Sequence, residues 1–238
     1  MKRWAKAILI ITVICTVFVM AIAVYANDYY RAVDIDRYIT DSSNVDFKKI
    51  RDGYFFDGPG DGNALIFYPG AKVEAISYAP VLKSLAENGV DCFLIEMPMN
   101  LAFFGSDKAE NIVNEYSYEH YYLSGHSLGG AMAANYLSKH TDYFSGLFLL
   151  ASYPTESLTD VNFPVVFIYG DKDSVLNKDN LEKGIALSPA DCTQVVIKGG
   201  NHAQFGSYGT QNGDSKATVS ADEQRKITVD TILQTVNG

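Results

Sequence analysis

Ser127, Asp173 and His202 are side chains of the right types, in a consistent order, for nucleophilic attack on a carbonyl carbon. A serine hydroxyl is a weak nucleophile near neutral pH and needs a base to take its proton. Histidine suits that task because its ordinary pKa lies close to neutral. The imidazole in turn needs a carboxylate to hold its tautomer and stabilise its charged form. Ser127 stands in Gly125-His126-Ser127-Leu128-Gly129-Gly130, a Gly-x-Ser-x-Gly turn. Of the four histidines, His120 precedes the apolar run before that turn, and His126 lies inside it, at a position expected to point away from Ser127. His140 falls near a predicted helix C-terminus, where a cation is favourable without any catalytic role. His202 follows the last apolar run in Gly199-Gly200-Asn201-His202 and is the candidate base. Tyr169-Gly170-Asp171-Lys172-Asp173 supplies the acid. Asp173 is preferred because a Gly-x-x-Asp loop carries it back over the strand end, with Asp171 as the alternative. An oxyanion would be held by the backbone N–H of Leu128 and a second N–H after Tyr68, for which Ala71 fits.

These residues need a scaffold that brings distant loops to one place. Tyr121–Ser124 reads as a buried strand and Ala131–His140 as a helix, so Ser127 falls on a sharp strand-to-helix turn. The continuous apolar run at 64–68 and the stretches 91–96, 147–151, 165–169 and 195–198 read as strands, with 64–68, 147–151 and 165–169 buried. Helical patterns at 77–88 and 107–116 alternate with them, and Val45–Phe56 supplies one or two edge strands. This alternation predicts an α/β fold: a mostly parallel sheet with helices on both faces. Every candidate residue then follows a strand at the sheet's C-terminal edge. No internal repeat or low-complexity tract interrupts the pattern.

Composition narrows the function classes. The 238 residues, 47% apolar and 20% charged, suit one globular domain with an appendage. A net charge of −9 argues against nucleic acid as a partner, because phosphate contacts need clustered Lys and Arg. The three cysteines, Cys15, Cys92 and Cys192, show no metal-binding spacing, and Cys92 and Cys192 are expected on separated strands. No metal or organic cofactor is implied. Residues 1–26 form an N-terminal unit in which Lys2, Arg3 and Lys6 precede an uncharged run from Ala7 to Ala26. That length suits a bilayer-spanning anchor, with the basic flank in the cytoplasm and the rest of the chain outside. The rival reading is a signal peptide cleaved near Val24-Tyr25-Ala26, which would release a secreted protein. Residues 27–44 read as a polar linker and 45–238 as the catalytic domain.

The set of motifs resembles the α/β-hydrolase superfamily, and within it a capless group similar to dienelactone hydrolase. The matching stretches are Tyr68-Pro69-Gly70-Ala71-Lys72-Val73-Glu74, the apolar loop Met97–Gly105, Gly125–Ala133, Tyr169–Asp173 and Gly199–Gly206. The resemblance implies an α/β-hydrolase fold without a large cap domain, and a triad in the chain order Ser127, Asp173, His202. Dienelactone hydrolase uses a cysteine where this chain has Ser127, so its substrate does not carry over with the fold.

The expected activity is that of an extracytoplasmic serine hydrolase acting on a small carboxylic ester, thioester or lactone through an acyl-enzyme. Acyl transfer, peptide cleavage or non-catalytic binding on the same fold are the alternatives. Only Thr155–Phe163 separates Pro154, after the 147–151 stretch, from Pro164, before the 165–169 stretch, too short for a folded cap. The site is therefore expected to be open and shallow, with short soluble esters preferred. Asn100, Phe103 and Phe104 are expected to wall the pocket, and Lys72, with Glu74 beside it, to orient the substrate or form a surface ion pair.

Overall fold

The computed structural model describes residues 3–40, 42 and 44–238. Lys2 of the basic flank, and Asp41 and Ser43 of the expected linker, lie outside the described residues.

Among the described residues, eight strands form one sheet, built from β1 (Asp46–Ile50), β2 (Gly53–Asp57), β3 (Asn63–Tyr68), β4 (Val90–Ile95), β5 (His120–His126), β6 (Gly146–Leu150), β7 (Val165–Gly170) and β8 (Thr193–Ile197). Their spatial order is β1-β2-β4-β3-β5-β6-β7-β8. β1 and β2 form a hairpin that joins β4 antiparallel, and every other pairing is parallel. The chain reverses its winding direction at β3, which has β4 on one side and β5 on the other. In such sheets, ligands bind in the crevice beyond the strand C-termini at that switch point.

The described residues also form six α-helices: α1 (Arg3–Asn27), α2 (Ala79–Glu87), α3 (Ala109–Glu115), α4 (Leu128–Leu137), α5 (Lys178–Ala186) and α6 (Ala221–Val236). Successive strand residues face opposite sides, so a strand buried on both faces is apolar throughout. In β3, Leu65 and Phe67 pack with Leu82 and Leu85 of α2 and Ile232 of α6. Ala64 and Ile66 of the same strand pack with Ala133 and Leu137 of α4, Ile112 of α3 and Leu181 of α5. Two cores thus lie on the two faces, and the apolar runs of β3 to β7 are continuous because each serves both; β8 lies at the sheet edge and is buried only at Ile197. Cys92 on β4 and Cys192 near β8 are both free thiols, as their separation in the sheet requires.

α1 stands apart from both cores. Its segment Leu9–Asn27 spans 19 residues at mean hydropathy 2.7, and none of it is buried. The chain after it returns to the domain at once. Tyr30 N–H donates to Lys72 O (2.7 Å), Glu74 N–H donates to Tyr30 O (2.9 Å), and Val33 N–H donates to Ser207 O (2.8 Å). No helical insertion stands between β6 and β7, and no large cap domain is present among the described residues.

Candidate active site

β5 delivers Ser127 into a backbone conformation that few side chains tolerate, with φ 53° and ψ −126°. A non-glycine residue there is strained by roughly 1–3 kcal/mol and persists only when its surroundings hold it. Here Ser127 N–H donates to Leu150 O (2.9 Å), and Ser127 O accepts from Ser152 Oγ (2.7 Å) and Ala131 N–H (3.2 Å). The turn also depends on bare glycine backbone. A Cβ on Gly129 would lie 2.3 Å from both Tyr68 O and Pro69 O, so only glycine lets α4 start against the end of β3. Gly129→Ala is expected to destabilise the protein by about 1–3 kcal/mol, lowering Tm by roughly 5 °C. An unchanged melting curve would mean the α4–β3 contact is looser than described.

The loops after β7 and β8 bring Asp173 to His202. His202 Nδ1 lies 2.7 Å from Asp173 Oδ2, with both side chains buried. The other oxygen of Asp173, Oδ1, accepts from Val175 N–H and Leu176 N–H, each at 2.8 Å. A carboxylate oxygen can only accept from the ring, so Nδ1 donates to Asp173 and Nε2 is the nitrogen left to take a proton. Nε2 is buried with no hydrogen-bond partner among the described residues. Asp171, the alternative acid, instead accepts from Gly199 N–H at 2.7 Å and braces the loop that carries His202.

His126 belongs to the surroundings of His202. Its ring packs on His202 with centroids 4.5 Å apart, and its Nδ1 lies 2.8 Å from the Tyr78 hydroxyl. That hydroxyl also accepts the Gly70 N–H at 3.0 Å. Burial first, and then the neighbouring His202, holds the His126 pKa well below the ordinary histidine value, so the ring stays neutral. Tyr78 and His126 thus connect the floor beneath His202 to the loop carrying Ala71. They are 48 residues apart, and no local pattern signals the contact. The backbone N–H groups of Ala71 and Leu128 both lack an acceptor among the described residues, which leaves each available to a ligand.

A cavity of about 240 Å³ opens beside the serine, lined by Ser127, Leu128, Ala131, Tyr153, Leu176 and His202 among others. Its walls come from the start of α4 and from the loops after β6, β7 and β8. Lys72, Asn100, Phe103 and Phe104, expected as pocket residues, are not among those lining it. Asn100 instead uses its carbonyl to accept Lys72 N–H at 2.7 Å. Phe103 and Phe104 turn outward, 68% and 53% exposed. Lys72 pairs with Asp28 (2.6 Å), while Glu74 accepts from Ala32 N–H (2.8 Å), so the two do not pair with each other. A larger hollow of about 730 Å³, bordered by Arg37, Gln204, Asp214 and Arg225, does not include Ser127. Among the described residues, no group of three or more His, Cys, Asp or Glu side chains could hold a metal ion.

Comparison with known proteins gives a consistent picture. The profile described as "Alpha/beta hydrolase family" matches residues 64–226. Among solved structures, dienelactone hydrolase from Anabaena variabilis is similar at TM-score 0.60 and 12% identity, covering 81% of this chain and 99% of that one. Carboxylesterase CesB from Bacillus subtilis is similar at TM-score 0.59 and 11% identity, covering 84% and 93% of the two chains. Est1E from Butyrivibrio proteoclasticus is similar at TM-score 0.56 and 15% identity, covering 82% and 100%. Identities this low bear on the fold alone. No curated protein matches significantly.

Proposed function

We propose, from the premise that the chain belongs to the alpha/beta hydrolase family, that this hydrolase is a serine esterase cleaving small carboxylic esters, thioesters or lactones. The observation that carries the reading is the buried 2.7 Å contact between Asp173 and His202, which leaves Nε2 without a partner among the described residues, on a side chain that lines the same cavity as Ser127. Ser127 Oγ attacks the carbonyl carbon while His202 Nε2 takes its proton. The oxygen of the tetrahedral intermediate gains full negative charge, and the Leu128 and Ala71 N–H groups receive it. Each such donor is typically worth about 3 kcal/mol in the transition state. Collapse breaks the ester C–O bond, and the proton on Nε2 passes to the departing alkoxide. A water, deprotonated by the same nitrogen, then releases the acyl group and restores Ser127.

The test is labelling of the full chain with a fluorophosphonate, followed by mapping of the modified peptide. A stoichiometric adduct on Ser127 is expected. An adduct elsewhere, or none on a folded protein, removes the assignment.

The cavity of about 240 Å³ lies below the roughly 300–1,000 Å³ typical of drug-sized ligand sites. The group it takes is therefore short. Across a p-nitrophenyl ester series, kcat/KM is expected to peak at acyl chains of about two to six carbons and fall at least about tenfold by twelve. A flat profile would show that the cavity does not set the limit.

α1 is assigned as an uncleaved anchor, with the globular domain outside the cytoplasm. The supporting features are its unburied apolar length and the basic residues Arg3 and Lys6 at its start. Mature protein whose N-terminus lies beyond Ala26 would replace the anchor with a cleaved leader.

A further inference from the structure

α1 leaves the domain beside the proposed site. The Lys72 ammonium sits 4.3 Å from the centroid of the Tyr25 ring, in the last turns of α1, and 2.6 Å from the Asp28 carboxylate just beyond it. Lys72 directly follows Ala71. Tyr30 and Val73 then bridge in parallel, and Tyr30 N–H donates to Lys72 O at 2.7 Å. The helix end and the proposed oxyanion loop are therefore latched by side chains and backbone together, which limits how far the domain can swing about the helix.

An apolar ridge lies against the same latch. Lys72 N–H donates to Asn100 O, and from that point Met99, Phe103 and Phe104 project into solvent at 38%, 68% and 53% exposure. The two phenyl rings pack edge to face at 5.5 Å, so they present one surface rather than two loose side chains. Apart from α1, the other exposed large apolar residues among the described residues are Val33, Tyr143 and Val196, which do not neighbour one another in sequence. Neither core claims Phe103 or Phe104.

The two features have a common explanation. The 19-residue segment Leu9–Asn27 rises about 28 Å as a helix, close to the ~30 Å of a bilayer's hydrocarbon core. Trp4 and Tyr25 stand exposed near its two ends, where aromatic residues favour the membrane–water interface. With Tyr25 at that level, Lys72 lies at the headgroup layer and the Met99–Phe104 ridge borders it.

We infer that the sheet edge carrying Ser127 faces the bilayer crossed by α1, with Met99, Phe103 and Phe104 bedded in its interfacial layer. The site then takes esters presented from the membrane surface. The substrate class is an amphiphile whose short acyl or alcohol arm fills the cavity while its apolar remainder stays among the lipids. This rests on the reading of α1 as an uncleaved span and is independent of which residue performs the attack.

The experiment uses the full chain in phosphatidylcholine vesicles, with chain-brominated phosphatidylcholine as the quencher of tryptophan fluorescence. In a Trp4→Phe background, Phe103→Trp is compared with Tyr143→Trp, which lies before β6 at the opposite sheet edge. Phe104→Trp repeats the measurement at the neighbouring exposed position. Quenching at 103 or 104 at least threefold stronger than at 143 is expected. Equal quenching at the two edges, or none at 103 and 104, overturns the inference. The wild-type chain, whose only tryptophan is Trp4, reports insertion of α1 separately. If Trp4 is quenched while 103 and 104 are not, the orientation fails and the anchor stands. If Trp4 is not quenched, both fail. Lost fluorophosphonate labelling alongside strong quenching at 103 removes the serine assignment and supports the membrane-facing edge.

Discussion

Ser127→Ala lowers ester turnover by roughly 10⁴–10⁶-fold, to the level left by binding and the oxyanion donors alone. His202→Ala should cost nearly as much, and the double variant little more, because a nucleophile and its base act as one unit. Loss of activity alone would not separate chemistry from misfolding, but the elbow geometry supplies a control. At φ 53° and ψ −126°, residue 127 is strained for any L side chain, alanine included. Ser127→Gly removes that strain along with the nucleophile and should melt above Ser127→Ala, by about 1 kcal/mol of stability. An inactive variant that is more stable than the alanine form ties the loss to the missing hydroxyl. Turnover by either variant within about tenfold of wild type would sink the assignment of Ser127.

Asp173→Asn should reduce kcat by roughly 10³–10⁴-fold without unfolding the protein. The reason lies in how the carboxylate is held. Its Oδ1 accepts from Val175 N–H and Leu176 N–H, so an asparagine must place its oxygen there and turn its NH₂ toward His202. That NH₂ donates to Nδ1, so the ring proton moves to Nε2, where the base is needed. Asp171→Asn preserves the acceptor for Gly199 N–H and should stay within about threefold of wild type. Rates fix the order of the two variants, and the opposite order would make Asp171 the acid.

Much of this arrangement could be read in advance because it is written in short stretches. The central strands carry apolar runs such as 64–68, since Leu65 meets one core and its neighbour Ile66 the other. The elbow is a five-residue pattern whose glycines answer to a close backbone approach, as Gly129 against Pro69 shows. What stayed hidden depends on pairs far apart in the chain. Lys72 meets Asp28 across 44 residues and Tyr78 meets His126 across 48. Nothing local says that Glu74 will accept from Ala32 rather than pair with Lys72. Phe103 and Phe104 misled for a different reason. An apolar pair beside the site reads as a pocket wall, but this one lies in the single 3-10 turn Ala102–Phe104, which leaves both rings exposed.

The return of the chain after α1 also decides where the protein can be cut. Residues 30–33 add a short ribbon alongside 72–74, and Ser207 Oγ donates to Val33 O (2.8 Å) to tie in the segment following His202. Tyr30, Ala32, Ile35 and Tyr38 pack against the core shared by α2 and α6. A soluble version begun at Val45, where the regular strands start, would strip apolar cover from that core and leave Glu74 without the Ala32 amide. One begun at Asn27 keeps all of these contacts. The shorter form should melt several degrees lower and hydrolyse esters more slowly, because the loops bearing Ala71 and His202 each lose a fastening. Equal thermal midpoints for the two truncations would show that the ribbon is ornament to the fold. Unequal ones would make an eighteen-residue stretch, read at first as tether, the outermost piece of the catalytic domain.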